Sequence, residues 1–519
     1  MSSAPTSASA TATLNPREVT PEMVAQVARH GLRVRLADGV AEQMRASADA
    51  VAAFDAAEEP AYGVTTGFGS LARVTVPRER RAELQRALIR SHAAGMGEPI
   101  ERECVRAMML LRARSLAMGY SGVRPALAER ILDLLNAGLT PVVPEHGSLG
   151  ASGDLAPLAH CALALIGEGE VTDADGRRMP SAEALAQAGL EPFMLGPKEG
   201  LALINGTDGM LGMLILALND LDALLKAADI AAAMSVEALL GTDRAFAADL
   251  IALRPSAGAA ASAQNLRNLL AGSEIVASHR TGDDRVQDAY SLRCAPQVAG
   301  AVRDTVAFAR RTAEAELQSA IDNPLVLPDG RVESCGNFHG APLAYACDFL
   351  AIAVADLGAI AERRTDRLLD ASRSEGLPPF LAPDAGVNSG LMIGQYTQAA
   401  LVAENRRLAA PAAVDTVPTS AMQEDHVSMG WASARKLRDA LRNLRRIVAV
   451  ECTVAARGLE LRAPLRPGPG TEAARAAIHD AIPGFGPDRV LAPELADVER
   501  LVAGGDLVSA VEREIGALA

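Results

Sequence analysis

The residues Ala151-Ser152-Gly153 carry the most unusual chemistry that this 519-residue sequence allows. They lie in the run Gly150–His160, between glycine-rich sequence and an apolar stretch that predicts the start of a helix. Glycine tolerates positive φ and close backbone approach, so the chain can bend back on itself here. The amide nitrogen of Gly153 could then attack the carbonyl carbon of Ala151. Loss of water, including the Ser152 hydroxyl, would leave an exocyclic methylidene, an electrophile that no ordinary side chain supplies.

A simpler interpretation of the same run is a helix cap. Asp154 or Ser152 could cap a helix that runs through Leu158, and Pro157 is tolerated in a first turn. The two interpretations are compatible with each other. Ala-Ser-Gly alone is a common tripeptide, but the complete run from Gly150 to His160 is far more specific, and it favours the reactive turn.

Two further segments hold residue types that could assist such an electrophile. Tyr62 lies among three glycines in Ala61–Gly69, and a phenol becomes a useful base only where positive potential lowers its pKa from about 10. Arg293 lies in Gln287–Cys294, and a guanidinium can donate two parallel hydrogen bonds to a carboxylate. Taken alone, each would be interpreted as a packed tyrosine or a surface ion pair. The stretch Gly67–Ala72 also fits a dinucleotide fingerprint, but no alternation of strands and helices surrounds it.

Together these segments resemble the aromatic amino acid ammonia-lyases and aminomutases. The resemblance extends from about Tyr62 to Gly458. It implies that Ala151-Ser152-Gly153 cyclises to 4-methylidene-imidazol-5-one (MIO), with Asp154 assisting, and that no metal or dissociable cofactor is needed. It also implies that Tyr62 is catalytic and that Arg293 binds the substrate carboxylate. The further substrate-binding residues that it implies are Asn205, Gln287, Tyr290 and Phe338.

Two positions indicate which side chain the substrate carries. His92, in Ser91-His92, is typical of the histidine-selective members, and Glu424 is a carboxylate where phenylalanine and tyrosine enzymes typically have an amide. A substrate imidazole has one donor and one acceptor nitrogen, and burying either without a partner costs about 1–3 kcal/mol. His92 and Glu424 could satisfy both, and Glu424 could also share proton removal with Tyr62 or replace it. Met422 is a departure, because Asn is common there in histidine-selective members.

Composition restricts the partners and the compartment. The formal net charge of −14 and the lack of basic runs argue against nucleic-acid binding. Six separated cysteines without a CxxC pair predict neither a disulfide framework nor a zinc site. The apolar stretches around residues 211–218 and 350–360 are too short, or broken by Asp356, to span a bilayer. We therefore expect a cytoplasmic protein that binds a small amino acid substrate, with no metal, nucleic-acid or membrane partner.

The sequence predicts a mainly all-α fold. Aromatic residues make up only 3% of the chain, and Ala, Leu, Arg and Glu dominate many segments. We expect a disordered tail over residues 1–15, a mixed helical and loop domain carrying the reactive turn over 16–200, a bundle of long helices over 201–460, and a C-terminal helical tail over 461–519. The family resemblance adds a homotetramer whose active sites combine segments from several subunits.

These features predict a carbon–nitrogen lyase that eliminates ammonia from L-histidine to give trans-urocanate, a step of histidine degradation. A tyrosine ammonia-lyase or a tyrosine 2,3-aminomutase that uses the same electrophile is the first alternative. Lyase and mutase differ in whether the product escapes before ammonia adds again, and local motifs do not settle this. A catalytically silent helical scaffold, in which Ala151-Ser152-Gly153 never cyclises, is the second alternative.

Overall fold

Helices make up most of the structure, a computed structural model that describes residues 11–57, 65–67 and 74–519. The mainly all-α prediction is confirmed. The helices are α1 (Pro21–His30), α2 (Val40–Ala57), α3 (Arg81–His92), α4 (Arg102–Ala117), α5 (Pro125–Asn136), α6 (Leu155–Leu165), α7 (Ser181–Gln187), α8 (Glu199–Ile204), α9 (Asp208–Ala238), α10 (Ala248–Ala252), α11 (Ala257–Leu270), α12 (Glu274–Ser278), α13 (Tyr290–Arg293), α14 (Ala295–Leu317), α15 (Ala341–Leu369), α16 (Met392–Leu408), α17 (Gly430–Glu460), α18 (Pro469–Ala481), α19 (Leu491–Ala503) and α20 (Asp506–Ile515).

The strands are short and form small separate sheets. They are β1 (Thr11–Leu14), β2 (Arg33–Leu36), β3 (Met96–Pro99), β4 (Thr140–Pro141), β5 (Pro144–His146), β6 (Glu170–Thr172), β7 (Arg178–Pro180), β8 (Leu325–Val326) and β9 (Val332–Glu333). The strands β1 and β2 pair in parallel. The antiparallel pairs are β3 with β5, β4 with β6, β6 with β7, and β8 with β9.

The strand β1 corrects one expectation from the sequence. Residues 11–14 were predicted to belong to a disordered tail, but they pair with β2 in the register Thr11 to Arg33. Leu14 is fully buried, so an apolar side chain at the end of a threonine-rich strand stabilises this pairing.

The chain forms two compact units, and neither is continuous in sequence. The first unit comprises Met1–Leu216, Arg310–Cys347 and Ala412–Arg435. The second unit comprises Ala217–Ala309, Asp348–Pro411 and Lys436–Ala519. The domain boundaries expected from the sequence, near residues 200 and 460, remain predictions.

The core of the first unit is centred on α4, which is buried from Cys104 to Ala117. Three buried arginines on this helix donate to backbone carbonyls. Arg106 donates to Val27 and Leu135, Arg112 to Asn205 and Ile321, and Arg114 to Pro16, Leu317 and Ser319. Buried charges are tolerated when they are hydrogen-bonded, so these arginines join α4 to the helices and loops packed around it.

The second unit contains the apolar stripes of the long helices. Along α17, the predicted stripe Leu437, Leu441, Leu444 and Val448 is buried. Arg438 and Arg445 on the same helix both approach Asp220, at 3.0 and 3.6 Å. Deeper in this unit, Arg364 forms an ion pair with the buried carboxylate of Glu451.

Two helical stretches, Glu199–Ala238 and Ala341–Leu369, are long and apolar enough to cross a membrane. The prediction that the apolar stretches are too short to span a bilayer was therefore wrong, because they continue into longer helices. The apolar window of the first is entirely buried inside the protein and that of the second is 56% buried, as in core helices. Length and composition alone are weak support for a membrane span.

Candidate active site

The Ala151-Ser152-Gly153 turn lies between β5 and α6 in the first unit. The two glycines that flank the Ala-Ser pair, Gly150 and Gly153, have positive φ values of 64° and 77°. A Cβ atom at Gly153 would lie 2.1 Å from the carbonyl oxygen of Gly206, and one at Gly150 would lie 2.1 Å from Oγ of Ser428. Both positions therefore require glycine, for conformation and for space.

Asp154 fastens this turn to the start of α9. Its Oδ2 atom accepts hydrogen bonds from the backbone N–H groups of Gly209 (2.9 Å) and Met210 (3.0 Å), and its Oδ1 atom accepts one from the Ser148 hydroxyl (3.1 Å). Its own N–H donates to Gly206 at 2.7 Å. Burial raises the pKa of Asp154 to about 7, although the two backbone donors favour the charged form.

The cap predicted for α6 is therefore absent. Asp154 does occupy the N-cap position of α6, but its side chain makes no capping hydrogen bond there. The carboxylate caps α9 instead, where the helix dipole and the free N–H groups favour an acceptor.

Asn205 sits at the C-cap of α8, immediately before Gly206. Its Nδ2 atom donates to the backbone oxygen of Asn323 at 2.8 Å and to Oδ1 of Asp322 at 3.3 Å. Its Oδ1 atom is buried and has no hydrogen-bond partner among the described residues. A buried, unsatisfied acceptor is costly, which is typical of a site that meets a further group.

Behind Asn205 lies an ion pair that the sequence did not reveal. Nζ of Lys198 and Oδ2 of Asp322 are 2.7 Å apart, and both side chains are fully buried. Burial lowers the pKa of Lys198, and the charge of Asp322 opposes that effect. The sequence offered only the short run Asp322-Asn323-Pro324 as a sign that this segment is structurally constrained.

His92 is the last residue of α3, and its Nδ1 atom lies 2.9 Å from the carbonyl oxygen of Leu88. A carbonyl only accepts, so this contact places the proton on Nδ1 of the neutral ring and leaves Nε2 as an acceptor. Burial lowers the pKa of His92, while the Leu88 carbonyl and the charge of Glu424 oppose that shift. Glu424 is therefore close enough to His92 to act on its charge.

Glu424 belongs to a loop that is held at several points. Its Oε2 atom accepts a hydrogen bond from the Thr419 hydroxyl at 2.6 Å. Nε2 of His339 lies 3.2 Å from the backbone oxygen of His426, and the two imidazole rings stack with centroids 5.7 Å apart. Phe338, the predicted aromatic residue of the site, is half-buried and directly precedes His339.

The segment with Gln287, Tyr290 and Arg293 lies in the second unit, and Tyr290 and Arg293 are the ends of α13. Nε of Arg293 donates to the backbone oxygen of Asp288 at 3.0 Å, and its Cζ atom lies 4.5 Å from the Tyr290 ring centroid. All three predicted residues line one cavity of about 330 Å³. The cation–π contact and the backbone bond fix the plane of the guanidinium.

The predicted site residues therefore form two groups. The first unit contains Ala151, Ser152, Gly153, Asp154, Asn205, His92, Glu424 and Phe338, and the second contains Gln287, Tyr290 and Arg293. Tyr62 lies outside the described residues. Within the part of the chain that the structure describes, no three His, Cys, Asp or Glu side chains are arranged to hold a metal ion.

Comparison with known proteins assigns the chain to a class. The profile of the aromatic amino acid lyases matches residues 19–480. The chain belongs to the aromatic amino acid lyase family, whose members are ammonia-lyases and related carbon–nitrogen enzymes.

Individual relatives are similar over nearly their full length. A histidine ammonia-lyase from Streptomyces avermitilis is 60% identical over 502 residues, covering 96% of this chain and 98% of the relative. One from Deinococcus radiodurans is 50% identical over 493 residues, covering 95% and 94%. Among solved structures, a tyrosine aminomutase from Streptomyces globisporus has a TM-score of 0.93 and 38% identity, covering 98% and 100%. A histidine ammonia-lyase from Trypanosoma cruzi has a TM-score of 0.89 and 37% identity, covering 98% and 96%.

Proposed function

We propose that this chain eliminates ammonia from L-histidine to give trans-urocanate, a step of histidine degradation. The observation that carries this proposal is that His92 and Glu424 lie in the unit that contains the Ala151–Gly153 turn, near enough for the charge of Glu424 to raise the pKa of His92. Nε2 of His92 is left to accept from a substrate imidazole, because Leu88 holds Nδ1. The relatives named histidine ammonia-lyase support the same substrate.

The turn fits the MIO group that the family resemblance implies. Gly153 has the positive φ of a bent backbone, and the Gly206 carbonyl leaves no space for a side chain on it. The buried Oδ1 atom of Asn205, next to Gly206, lacks a partner among the described residues. When formed from Ala151, Ser152 and Gly153, MIO supplies an electrophile that draws electron density from the substrate as its amine leaves.

The residues of the chain bind and orient the substrate. Arg293 uses Nε for Asp288, so its two terminal nitrogens are available for the α-carboxylate in a bidentate contact. Gln287 and Tyr290 line the same cavity and support the amine. His92 accepts from the substrate imidazole, which discriminates it from a phenyl ring.

Proton removal completes the elimination. A base takes the β-proton, the electron pair of that C–H bond forms the double bond, and the C–N pair leaves with the amine, which departs as ammonia. Two residues are candidates for the base. Glu424 has one oxygen, Oε2, engaged by Thr419, which leaves Oε1 for the substrate. Tyr62 is the other candidate, on the family resemblance.

A tyrosine ammonia-lyase or tyrosine 2,3-aminomutase is the second candidate. The similarity to the Streptomyces globisporus tyrosine aminomutase, at a TM-score of 0.93, favours it specifically. A phenol has one O–H donor for two acceptors, His92 Nε2 and Oε1 of Glu424, whereas a protonated imidazole has two N–H donors and a positive charge. The charge of that carboxylate therefore makes imidazole the better substrate.

We also propose a homotetramer with shared active sites, in the cytoplasm. Phe308 on α14 and Phe349 and Ile352 on α15 are 38%, 47% and 45% exposed and line a groove of about 760 Å³ in the second unit. Exposed apolar surface of this kind is typical of a subunit interface. Phe308→Glu should reduce the assembled mass in analytical ultracentrifugation, whereas Arg513→Glu on α20 should not. The six free cysteines support a reducing compartment.

One assay tests the proposed reaction. The purified protein is incubated in parallel with L-histidine, L-tyrosine and L-phenylalanine, and ultraviolet absorbance reports urocanate, coumarate or cinnamate. Urocanate from histidine alone supports the proposal, and coumarate or β-tyrosine from tyrosine supports the second candidate. If no product forms, intact mass identifies the silent scaffold, because an uncyclised chain keeps the water that MIO formation removes. Ser152→Ala should abolish turnover and retain the fold.

A further inference from the structure

The loop that carries Glu424 is closed by a single pair of residues. The backbone N–H of Thr419 donates to the carbonyl of Glu424 at 3.0 Å, and the N–H of Glu424 donates back to Thr419 at 3.3 Å. This is an isolated antiparallel bridge. Residues directly opposite each other in such a bridge project their side chains to the same face. The side chain of Thr419 is therefore beside that of Glu424 because of the backbone pairing.

The residues inside this bridge have an unusual backbone. Ser420, Ala421 and Met422 have positive φ values of 49°, 51° and 69°. None of these residue types favours the left-handed region, so contacts such as the closing pair are needed to hold the loop in this form. The bridge that closes the loop and the hydrogen bond that orients Glu424 therefore involve the same two residues.

The side-chain contact fixes one oxygen of the carboxylate. The Thr419 hydroxyl donates to Oε2 of Glu424 at 2.6 Å, a distance typical of a hydrogen bond from a hydroxyl to a charged acceptor. Oε1 has no hydrogen-bond donor among the residues that the structure describes. The hydroxyl thus selects the oxygen that faces substrate and restricts rotation of the carboxylate.

We propose that Thr419 is a positioning residue for Glu424, which it orients through this hydrogen bond during turnover of histidine. The inference rests on the proposed function, because it assumes that Glu424 meets the substrate. Thr419 itself need not touch the substrate. If Thr419 served only to hold the loop, its hydroxyl would be dispensable as long as the backbone bridge persisted.

Three variants of the full-length enzyme distinguish orientation of the Glu424 carboxylate from an effect on the structure of the loop. Thr419→Val keeps the shape and loses the hydroxyl, Thr419→Ser keeps the hydroxyl, and Thr416→Val removes a different hydroxyl of the same loop. The Thr416 hydroxyl oxygen accepts a hydrogen bond from the N–H of Val427 at 2.8 Å, and Thr416 makes no hydrogen bond to Glu424. We expect kcat/KM for L-histidine to fall roughly 10- to 100-fold in Thr419→Val, as for loss of a hydrogen bond to a charged group. Thr419→Ser should stay within about 3-fold of the parent enzyme, since the hydroxyl remains.

The split between kcat and KM then reports how Glu424 acts. A fall in kcat at constant KM indicates proton transfer by Glu424, and a rise in KM indicates binding of the imidazole. Equal losses in Thr416→Val and Thr419→Val, or a Thr419→Ser variant as impaired as Thr419→Val, would overturn the inference. Both results would mean that the loop, and not the hydroxyl, determines activity.

A binding measurement keeps the inference apart from the proposed function. The dissociation constant of urocanate is measured by calorimetry for Glu424→Gln, Thr419→Val and the double variant. If Thr419 acts through Glu424, Thr419→Val should change the constant by less than about 2-fold once Glu424 is already Gln. A Thr419→Val effect that persists in the Gln background contradicts the inference alone. Unchanged histidine turnover in Glu424→Gln would instead contradict the proposed role of Glu424, and the inference would fail with it.

Discussion

Gly153 and Gly206 are in such close contact that a methyl group on Gly153 would lie 2.1 Å from the Gly206 oxygen. The neighbouring N–H of Asp154 donates to that same oxygen at 2.7 Å. One carbonyl therefore receives a hydrogen bond from the turn and also restricts its shape. The backbone conformation of the reactive turn is therefore restricted by the segment that links α8 to α9.

Gly153→Ala should abolish both maturation and turnover. The added methyl group would displace the backbone of Gly206, and the alanine would have to adopt a φ of 77°. The turn therefore shifts. A displacement of about 1 Å is enough for a loss on the order of 100-fold in rate. Intact mass spectrometry should show a chain that has retained its water, and the ultraviolet assay should show no urocanate.

Gly176 supplies the control for that variant. It has a similar φ of 85°, but a Cβ atom there would have no neighbour within 4 Å. Gly176→Ala should lower stability by about 1 kcal/mol and leave urocanate formation unchanged. Full activity in Gly153→Ala would contradict the role given to the contact with Gly206.

Asp154→Asn should change how stability depends on pH. The carboxyl has an ordinary pKa of 3.8 when unfolded and about 7 when folded. Between these values the folded state binds the proton and the unfolded state does not, so the free energy of unfolding falls as pH rises from about 4 to 7. Asn does not titrate, and its oxygen can still accept from Gly209 and Met210. The variant should therefore gain stability relative to the parent chain across this window, by up to roughly 4 kcal/mol at pH 7.

Urea denaturation at several pH values measures this difference. A difference that stays constant from pH 4 to 8 would show that Asp154 does not titrate in this range. The same Asp154→Asn protein also tests whether the carboxyl assists cyclisation, because its intact mass reports the loss of water independently of its stability.

Arg293→Lys should weaken substrate binding more than it slows the reaction. Lysine retains the charge but loses the planar pair of donors and the stacking on Tyr290. We expect KM for L-histidine to rise roughly 10- to 100-fold with a smaller change in kcat. Histamine, which lacks the carboxylate, should inhibit the variant and the parent enzyme equally, and a matched loss of histamine binding would argue against a carboxylate contact.

His92→Phe should alter substrate preference. The substitution removes the Nε2 acceptor that the Leu88 contact leaves available, so a substrate imidazole N–H loses its partner. We expect kcat/KM for histidine to fall at least about 10-fold, while the ratio of phenylalanine to histidine turnover rises. Ser91→Ala should have little effect, since Leu88 still holds Nδ1. Unchanged histidine selectivity in His92→Phe would exclude the imidazole contact.

Much of this molecule could be predicted from its sequence. The helical composition predicted the fold class, and the glycines around Ala151-Ser152 predicted a sharply bent turn, which Gly150 and Gly153 form. The apolar repeat of Leu437, Leu441 and Leu444 predicted the buried face of α17. Each of these features depends on local spacing, which a single sequence displays directly.

The remaining features depend on contacts between distant segments. A cap of α6 by Asp154 or Ser152 was one interpretation of the sequence, yet the carboxylate of Asp154 caps α9, which only the folded chain brings near. The role of Thr419 was equally hidden, since its bridge to Glu424 requires left-handed residues that Ser420 and Ala421 do not predict. The run Asp322-Asn323-Pro324 indicated a constrained segment, but nothing in the sequence identified Lys198 as the partner of Asp322.

The attachment of Asp154 and Gly153 to the start of α9 has a consequence for biosynthesis. The segments that meet there are far apart in the chain, so the contacts that hold the bent turn form only as the first unit assembles. If cyclisation of Ala151-Ser152-Gly153 requires those contacts, a newly made or misassembled polypeptide cannot form its electrophile. Only a correctly folded chain would then become catalytically competent.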